Sequence, residues 1–261
     1  MNMLPTTAFV ILSCDAYSEL WETHFRCLDE HWPDCPFPKY IVTNHKNSNR
    51  KDITAIKVGD DRTWSANLKK ALEFLRLEYR YILVTFDDLF LVETVNNPLL
   101  ESVLESFKES RGQFLQLIKW HNKPKKMNPY FGLIEPGSLY RPNCVYAVWD
   151  IGVLDCLLVP EENAWEFERK GAARSDRFHR FYAVLSSIFD YRNAVIRGRI
   201  MRRDARRFNL KPDGKLRVMS LRDTVQFYFR YWGFRLFLFA IPRKRQVGAA
   251  RMKRWLTGKK A

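Results

Sequence analysis

The run Tyr81 to Leu91, YILVTFDDLFL, sets two adjacent carboxylates, Asp87 and Asp88, between apolar stretches. Strand formers precede the pair, so the pattern predicts a buried strand that delivers both acids at its end. Two anions side by side in a crevice repel each other unless a cation joins them. A divalent ion, Mn or Mg, held by Asp87 and Asp88 and shared with a diphosphate would supply that cation. It would also act as a Lewis acid toward a departing phosphate group. The plain alternative is a solvated Asp-Asp turn between two strands. Arg197 and Arg199 flank Gly198 and are candidates to clamp the same diphosphate, because guanidinium forks match phosphate oxygens and keep their charge. They also belong to a basic stretch, since residues 192–211 hold eight Lys or Arg against one acid. His24, His31, His45, His121 and His179 show no metal-ligand spacing.

The elements that must position these groups follow from periodicity. Ala8 to Leu12 reads as a buried strand opening into Ser13-Cys14-Asp15, and 17–31 carries apolar residues at helical spacing. Strands are predicted at 39–43, 53–58 and 81–86, with a helix over 64–77 that Ser65 could cap. Pro98 opens a helix over about 98–110. A strand at about 113–119, a Pro/Gly/Asn/Lys-rich loop over 121–138, a strand at 145–149 and a short helix at 150–158 come next. Such alternation implies an α/β fold built from βαβ units around a mostly parallel, Rossmann-type sheet flanked by helices. Ligands of such sheets bind outside the carboxyl ends of the strands, where Ser13-Cys14-Asp15 and Asp87-Asp88 both fall.

Several segments, taken together in order and spacing over residues 8–207, resemble a group of bacterial surface-polysaccharide glycosyltransferases of the GT-A type. They are Ser13-Cys14-Asp15-x-Tyr17 with Trp21, His31-Trp32-Pro33-Asp34, Thr43-Asn44, Trp64-Ser65, Asp87-Asp88, Ala164-Trp165-Glu166-Phe167-Glu168 and Asn193 to Arg199. Adjacent acids depart from the commoner Asp-x-Asp form, with Thr85 in the place of a first acid. The resemblance implies a nucleotide-sugar donor and a lipid-linked glycan acceptor of lipopolysaccharide, capsule or exopolysaccharide synthesis. It implies that Asp15, with Ser13 and Cys14, holds the base or ribose of the donor. Trp64 and Ser65 would close the nucleotide pocket, and Asp87 and Asp88 would hold the sugar diphosphate. Glu166 and Glu168 are the candidate general bases, because an inverting transfer needs a carboxylate to take the acceptor proton. Trp165 could stack on an acceptor sugar. Asp15 and Ser65 could equally cap helices, Trp64 could be a core residue, and the acidic run Glu161-Glu162-Glu166-Glu168 could be a solvated face.

Composition bounds the remainder. A chain of 261 residues with 46% hydrophobic content supports one sizeable core. Its net charge of +15 is uneven: residues 187–261 hold 21 Lys or Arg and 4 acids, leaving 23 and 25 for residues 1–186. The expected division is a GT-A-like domain over 1–210 and a basic, aromatic helical extension over 211–261. In that extension Thr224 to Ile241 is aromatic and nearly uncharged, and 243–261 adds eight Lys or Arg and no acid. Apolar helices edged by cations lie in the headgroup plane, so residues 220–261 are expected to contact an anionic membrane surface. Nucleic acid is not an expected partner, because no recognised motif accompanies the charge. Five cysteines without metal or redox spacing, no signal-like leader and no long apolar span predict a cytoplasmic protein, peripheral on the inner face of the cell membrane. Two rivals remain: a nucleotidyltransferase, which would be expected to carry a Gly/Lys phosphate loop near the N-terminus, and a non-catalytic basic adaptor.

Overall fold

The computed structural model describes residues 6–119, 124–196, 198–212, 216–227 and 229. Its opening strand β1 (Thr7–Leu12) is buried throughout and leads through a 3-10 turn (Asp15–Leu20) into α1 (Trp21–His31). The helix predicted over 17–31 is thus split. Strands β2 (Lys39–Thr43) and β3 (Ile53–Lys57) follow, then α2 (Trp64–Leu75), β4 (Tyr81–Phe86), β5 (Leu89–Leu91) and α3 (Asn97–Glu109). Next come β6 (Phe114–Gln116), β7 (Lys125–Lys126), β8 (Phe131–Leu133), β9 (Ala147–Asp150), α4 (Ile151–Leu157), α5 (Ala164–Ser175) and β10 (Phe181–Val184). The described part closes with β11 (Tyr191–Asn193), β12 (Val195–Ile196), β13 (Arg199–Ile200), α6 (Arg202–Arg207), β14 (Arg217–Val218) and a helix over residues 221–227.

Nine strands form one sheet in the order β3-β2-β1-β4-β9-β6-β10-β8-β7. The β3-β2-β1-β4 half is parallel, and β9 runs antiparallel between β4 and β6. The expected α/β class, with a mostly parallel sheet between helices, holds. Alternation along each strand explains the layers. In β1, Phe9 and Ile11 join one core with Trp21, Phe25 and Leu28 of α1 and Leu100, Val103 and Phe107 of α3. Ala8, Val10 and Leu12 face the opposite core with Leu68 and Leu72 of α2, Leu154 of α4 and Phe167 of α5. Each helix buries one stripe on one face of the sheet.

Within the stretch 121–138, expected as loop, the structure forms β7 and β8. Asn128 makes the hairpin by accepting the N–H groups of Tyr130 and Phe131 at 2.9 and 2.8 Å. Gly132 lets the two strands close, because a Cβ there would lie 2.5 Å from the Lys125 carbonyl oxygen. The cap of α2 is Thr63, whose hydroxyl accepts from Ala66 N at 3.1 Å on an extended backbone. Ser65, the residue expected to cap, lies inside the first turn.

A third, smaller core holds Leu20, Cys27, Phe90, Ala194, Ile200, Phe208 and Leu216. It sits under the β5–β11 ribbon and the three-stranded sheet β12-β13-β14. Leu216 and Met219 are buried and β14 pairs with β13, so packing continues beyond residue 210. All five cysteines are free thiols. No helix among the described residues is long and apolar enough to cross a membrane.

One buried cation pins the region behind α5. Arg141 is fully buried, donates to the carbonyls of Ile134 (3.1 Å), Ser175 and Phe178 (2.7 Å), and lies 4.4 Å over the Phe181 ring. Arg141→Leu leaves those carbonyls without donors. It should therefore cost on the order of 3 kcal/mol and lower Tm by roughly 5–10 °C in a thermal melt.

Candidate active site

Strand register builds the site. β1 and β4 are parallel with Leu12 beside Phe86, so the next residues, Ser13 and Asp87, emerge side by side. Asp87 N donates to the Leu12 carbonyl at 3.3 Å, and the Ser13 hydroxyl donates to Asp87 Oδ2. Behind them the Trp21 indole N–H donates to Ser13 Oγ at 2.7 Å. A relay from Trp21 through Ser13 thus fixes the Asp87 carboxylate. Asp88 is held from its other side, where Ala194 N donates to its backbone carbonyl at 2.9 Å.

Asp87 and Asp88 form a two-residue turn between β4 and β5, but the solvated turn does not describe them. Asp87 is only 5% exposed. Burial, then repulsion from Asp88, pushes the Asp87 carboxyl well above the usual range, and burial pushes Asp88 up to about 7. His24 lies behind the turn against Phe90 and hydrogen-bonds the Asp87 backbone; burial lowers it to about 4, so it is neutral near pH 7. His24 therefore gives the pair no positive charge to balance a second negative one.

A cavity of about 430 Å³ opens in front of the pair, in the size range of small-molecule sites. Ser13, Cys14, Trp64, Asp87 and Asp88, predicted from widely separated segments, all line it. The Trp64 ring packs on Phe86 and Phe167, with centroids 6.2 and 5.4 Å apart, so one of its faces is fixed by the core. Burial, with Asp87 next, raises the Cys14 thiol and makes it a poor nucleophile.

Three lining residues were not singled out from sequence. Tyr17 feels both Asp87 and Asp88. The exposed Arg62 makes no hydrogen bond or ion pair among the described residues, and is a free cation at the rim. Asn67 donates to Asp61 at 2.7 Å, while its buried carbonyl oxygen has no partner. Arg62 and Asn67 flank the Trp64-Ser65 pair, which was the available signal. Gly198, with φ +72°, turns the β12–β13 hairpin, and a Cβ there would lie 3.9 Å from the Tyr17 hydroxyl.

Other predicted residues stand elsewhere. The Asp15 carboxylate accepts the N–H groups of Asn44 and His45 at 3.0 Å and of Lys46 at 3.2 Å, tying the loop after β2 to the loop after β1. It shapes the cavity edge and is not among the lining residues. Ser65 is fully buried, with an unpartnered hydroxyl. Arg199 pairs with Asp223 at 2.6 Å, and Arg197 lies outside the described residues.

The two candidate bases separate sharply. Glu166 completes a capping box with Asn163 at the start of α5 and bonds Lys170 at 3.2 Å, interactions that hold its carboxyl below the usual range. Glu168 makes no hydrogen bond or ion pair among the described residues, and burial pushes it up to about 7. The Tyr191 phenol is raised by burial and then by Asp88 and Glu168, so both carboxylates act on one ring. Glu162 is spent on Arg174, at 2.9 and 2.5 Å, and Trp165 is 75% exposed.

Among the described residues no three His, Cys, Asp or Glu groups gather as a metal cage. The site fits a divalent ion shared with a ligand: two buried carboxylates with unfavourable charge, facing an open cavity, gain most from a cation that brings its remaining ligands with the substrate.

No family model and no curated protein matches the chain. Among solved structures, S. aureus TarS 1-349 superposes with a TM-score of 0.46 at 11% identity, over 71% of this chain and 59% of that one. A second structure of S. aureus TarS gives 0.44 at 11% identity, over 71% and 36%. The chain thus spans less than two thirds of either.

Proposed function

We propose that the chain is a glycosyltransferase of GT-A type. It would move a sugar from a nucleoside-diphosphate sugar to a lipid-linked glycan in surface-polysaccharide synthesis. The observation that carries this reading is the cavity at the carboxyl ends of β1 and β4, where Asp87 and Asp88 meet Ser13, Cys14 and Trp64. Three of the segments that resemble surface-polysaccharide glycosyltransferases, Ser13 to Tyr17, Trp64-Ser65 and Asp87-Asp88, thereby contribute to one crevice. In this reading Trp64, Asn67 and the Ser13-Cys14 backbone receive the nucleoside, and Arg62 faces the diphosphate. A Mn or Mg ion held by Asp87 and Asp88 would neutralise charge on the departing nucleoside diphosphate. The acceptor hydroxyl oxygen attacks the anomeric carbon as the bond to the diphosphate breaks. Its proton passes to Glu168, whose upward shift suits a base working near neutral pH. Trp165, exposed on the first turn of α5, is available to an acceptor glycan.

The test is a thermal-shift screen of nucleoside diphosphates and their sugars, with and without Mn. Stabilisation by one nucleotide that grows with Mn is expected. No stabilisation by any of them would remove the transferase reading.

Membrane attachment is part of the proposal. On the helix over 221–227 and its continuation at 229, Leu221, Val225 and Phe229 are exposed at a four-residue spacing. That apolar stripe leads into the cationic sequence after residue 241, which itself lies outside the described residues. A peripheral position on the cytoplasmic face of the membrane would bring the cavity to a lipid-carried acceptor. Deleting residues 220–261 should leave the protein in the supernatant when anionic vesicles are sedimented. Equal pelleting of both forms would refute the anchor.

A further inference from the structure

A second cavity, of about 440 Å³, is lined by residues that include those of β11, the strand paired with β5. Its walls come from the loop after β6, from β11, from α6 and from Phe227. Asp204 lines it and is only 8% exposed, and its carboxylate makes no hydrogen bond or ion pair among the described residues. Its oxygens are not among the fully buried, unpartnered polar atoms, so they remain accessible at the cavity wall as acceptors for a ligand's donors. Arg192, and after it Arg203 and Arg207 from outside the lining, act electrostatically on it without making a close pair among the described residues. Lys119, Asn193 and the aromatic rings of Phe189 and Tyr191 complete the wall.

The charge balance selects the ligand class. Among the lining side chains Lys119 and Arg192 offset Asp190 and Asp204, so the lining itself does not favour a polyanion. Its interleaved donors, acceptors and rings instead suit a neutral, hydroxyl-rich ring whose vicinal hydroxyls donate to a carboxylate and whose apolar face meets an aromatic plane. We infer that this cavity binds a saccharide through Asp204 and Arg192. Tyr191 lines it and is also close enough to Asp88 and Glu168 to feel both charges, so one ring links a sugar seated there to the proposed reacting groups. The saccharide is then the glycan acceptor, an assignment that rests on the transferase reading, whereas saccharide binding itself does not.

The full chain would be probed on an array of immobilised neutral and acidic di- to hexasaccharides. Binding to at least one member is expected, weakened at least tenfold by Asp204→Asn and by Arg192→Gln, and unchanged by Asp88→Asn. A retained nucleotide thermal shift in Asp204→Asn and Arg192→Gln shows that those variants are folded. Absence of any saccharide binding, insensitivity to both substitutions, or equal loss in Asp88→Asn would overturn the inference. If saccharide binding behaves as expected while no nucleotide stabilises the wild type, the second cavity stands and the transferase reading falls.

Discussion

Asp88→Asn should lower sugar transfer by about 10²–10³-fold, the range for removing one group that stabilises developing charge. The fold should survive, because an amide fills the same space in the turn. The sign of the stability change follows from the raised carboxyl. Asp88 sits at about 7 in the folded chain against an ordinary 3.8. A raised group stabilises fully below its unfolded value, and that contribution is lost as pH climbs through the folded one. The wild type should therefore lose stability between about pH 4 and pH 7, and Asp87, shifted in the same direction, adds to the loss. Asp88→Asn removes its share of the penalty, so the variant's Tm should exceed the wild type's at pH 8, with the gap closing at pH 4. Added Mn should raise the wild-type Tm at pH 8 and do less for the variant. Melts across that pH range, run beside the transfer assay, check each point. Unchanged turnover would remove Asp88 from the chemistry.

Glu168→Gln should slow transfer by about 10²–10⁴-fold, the usual contribution of a positioned base, with nucleotide affinity kept within a factor of about two. With Mn present, wild-type kcat/KM should rise through about pH 7 as Glu168 sheds its proton, and the variant should lack that limb. Glu166→Gln provides the contrast. Glutamine preserves a capping box, so turnover and its pH profile should match the wild type. Were Glu166→Gln the slower enzyme, the base would have to be reassigned.

The cavity beside Asp87 was legible because its signals are local. Apolar runs long enough to be buried strands end in Ser13 and in Asp87, and both ends lie on the same rim of a parallel sheet. The region around β10 and β11 was less so. β10 has only four residues and β11 is mostly exposed; each owes its pairing to partners far along the chain. The antiparallel course of β9 is set by where the chain returns, and no apolar run encodes it. Glu166 and Glu168 look alike in sequence, one residue apart from Phe167. The helix turns one toward its own cap and the other toward Tyr140, Cys144 and Tyr191. Asp204 drew no notice among arginines, since nothing nearby in sequence foretells a carboxylate that packing leaves unpaired.

The β5–β11 ribbon sets an order of events during synthesis. Asp88 takes its backbone support from Ala194, and the first helical segments are tied to residues near the end of the described chain, Arg26 to the Phe208 carbonyl at 2.9 Å and Glu19 to Leu216 N at 3.0 Å. A nascent chain paused after β10 would hold the main sheet with Phe90 and Leu20 still wet and the acidic turn unbraced. Competence to bind substrate would therefore be acquired late in translation, once the basic segment has left the ribosome.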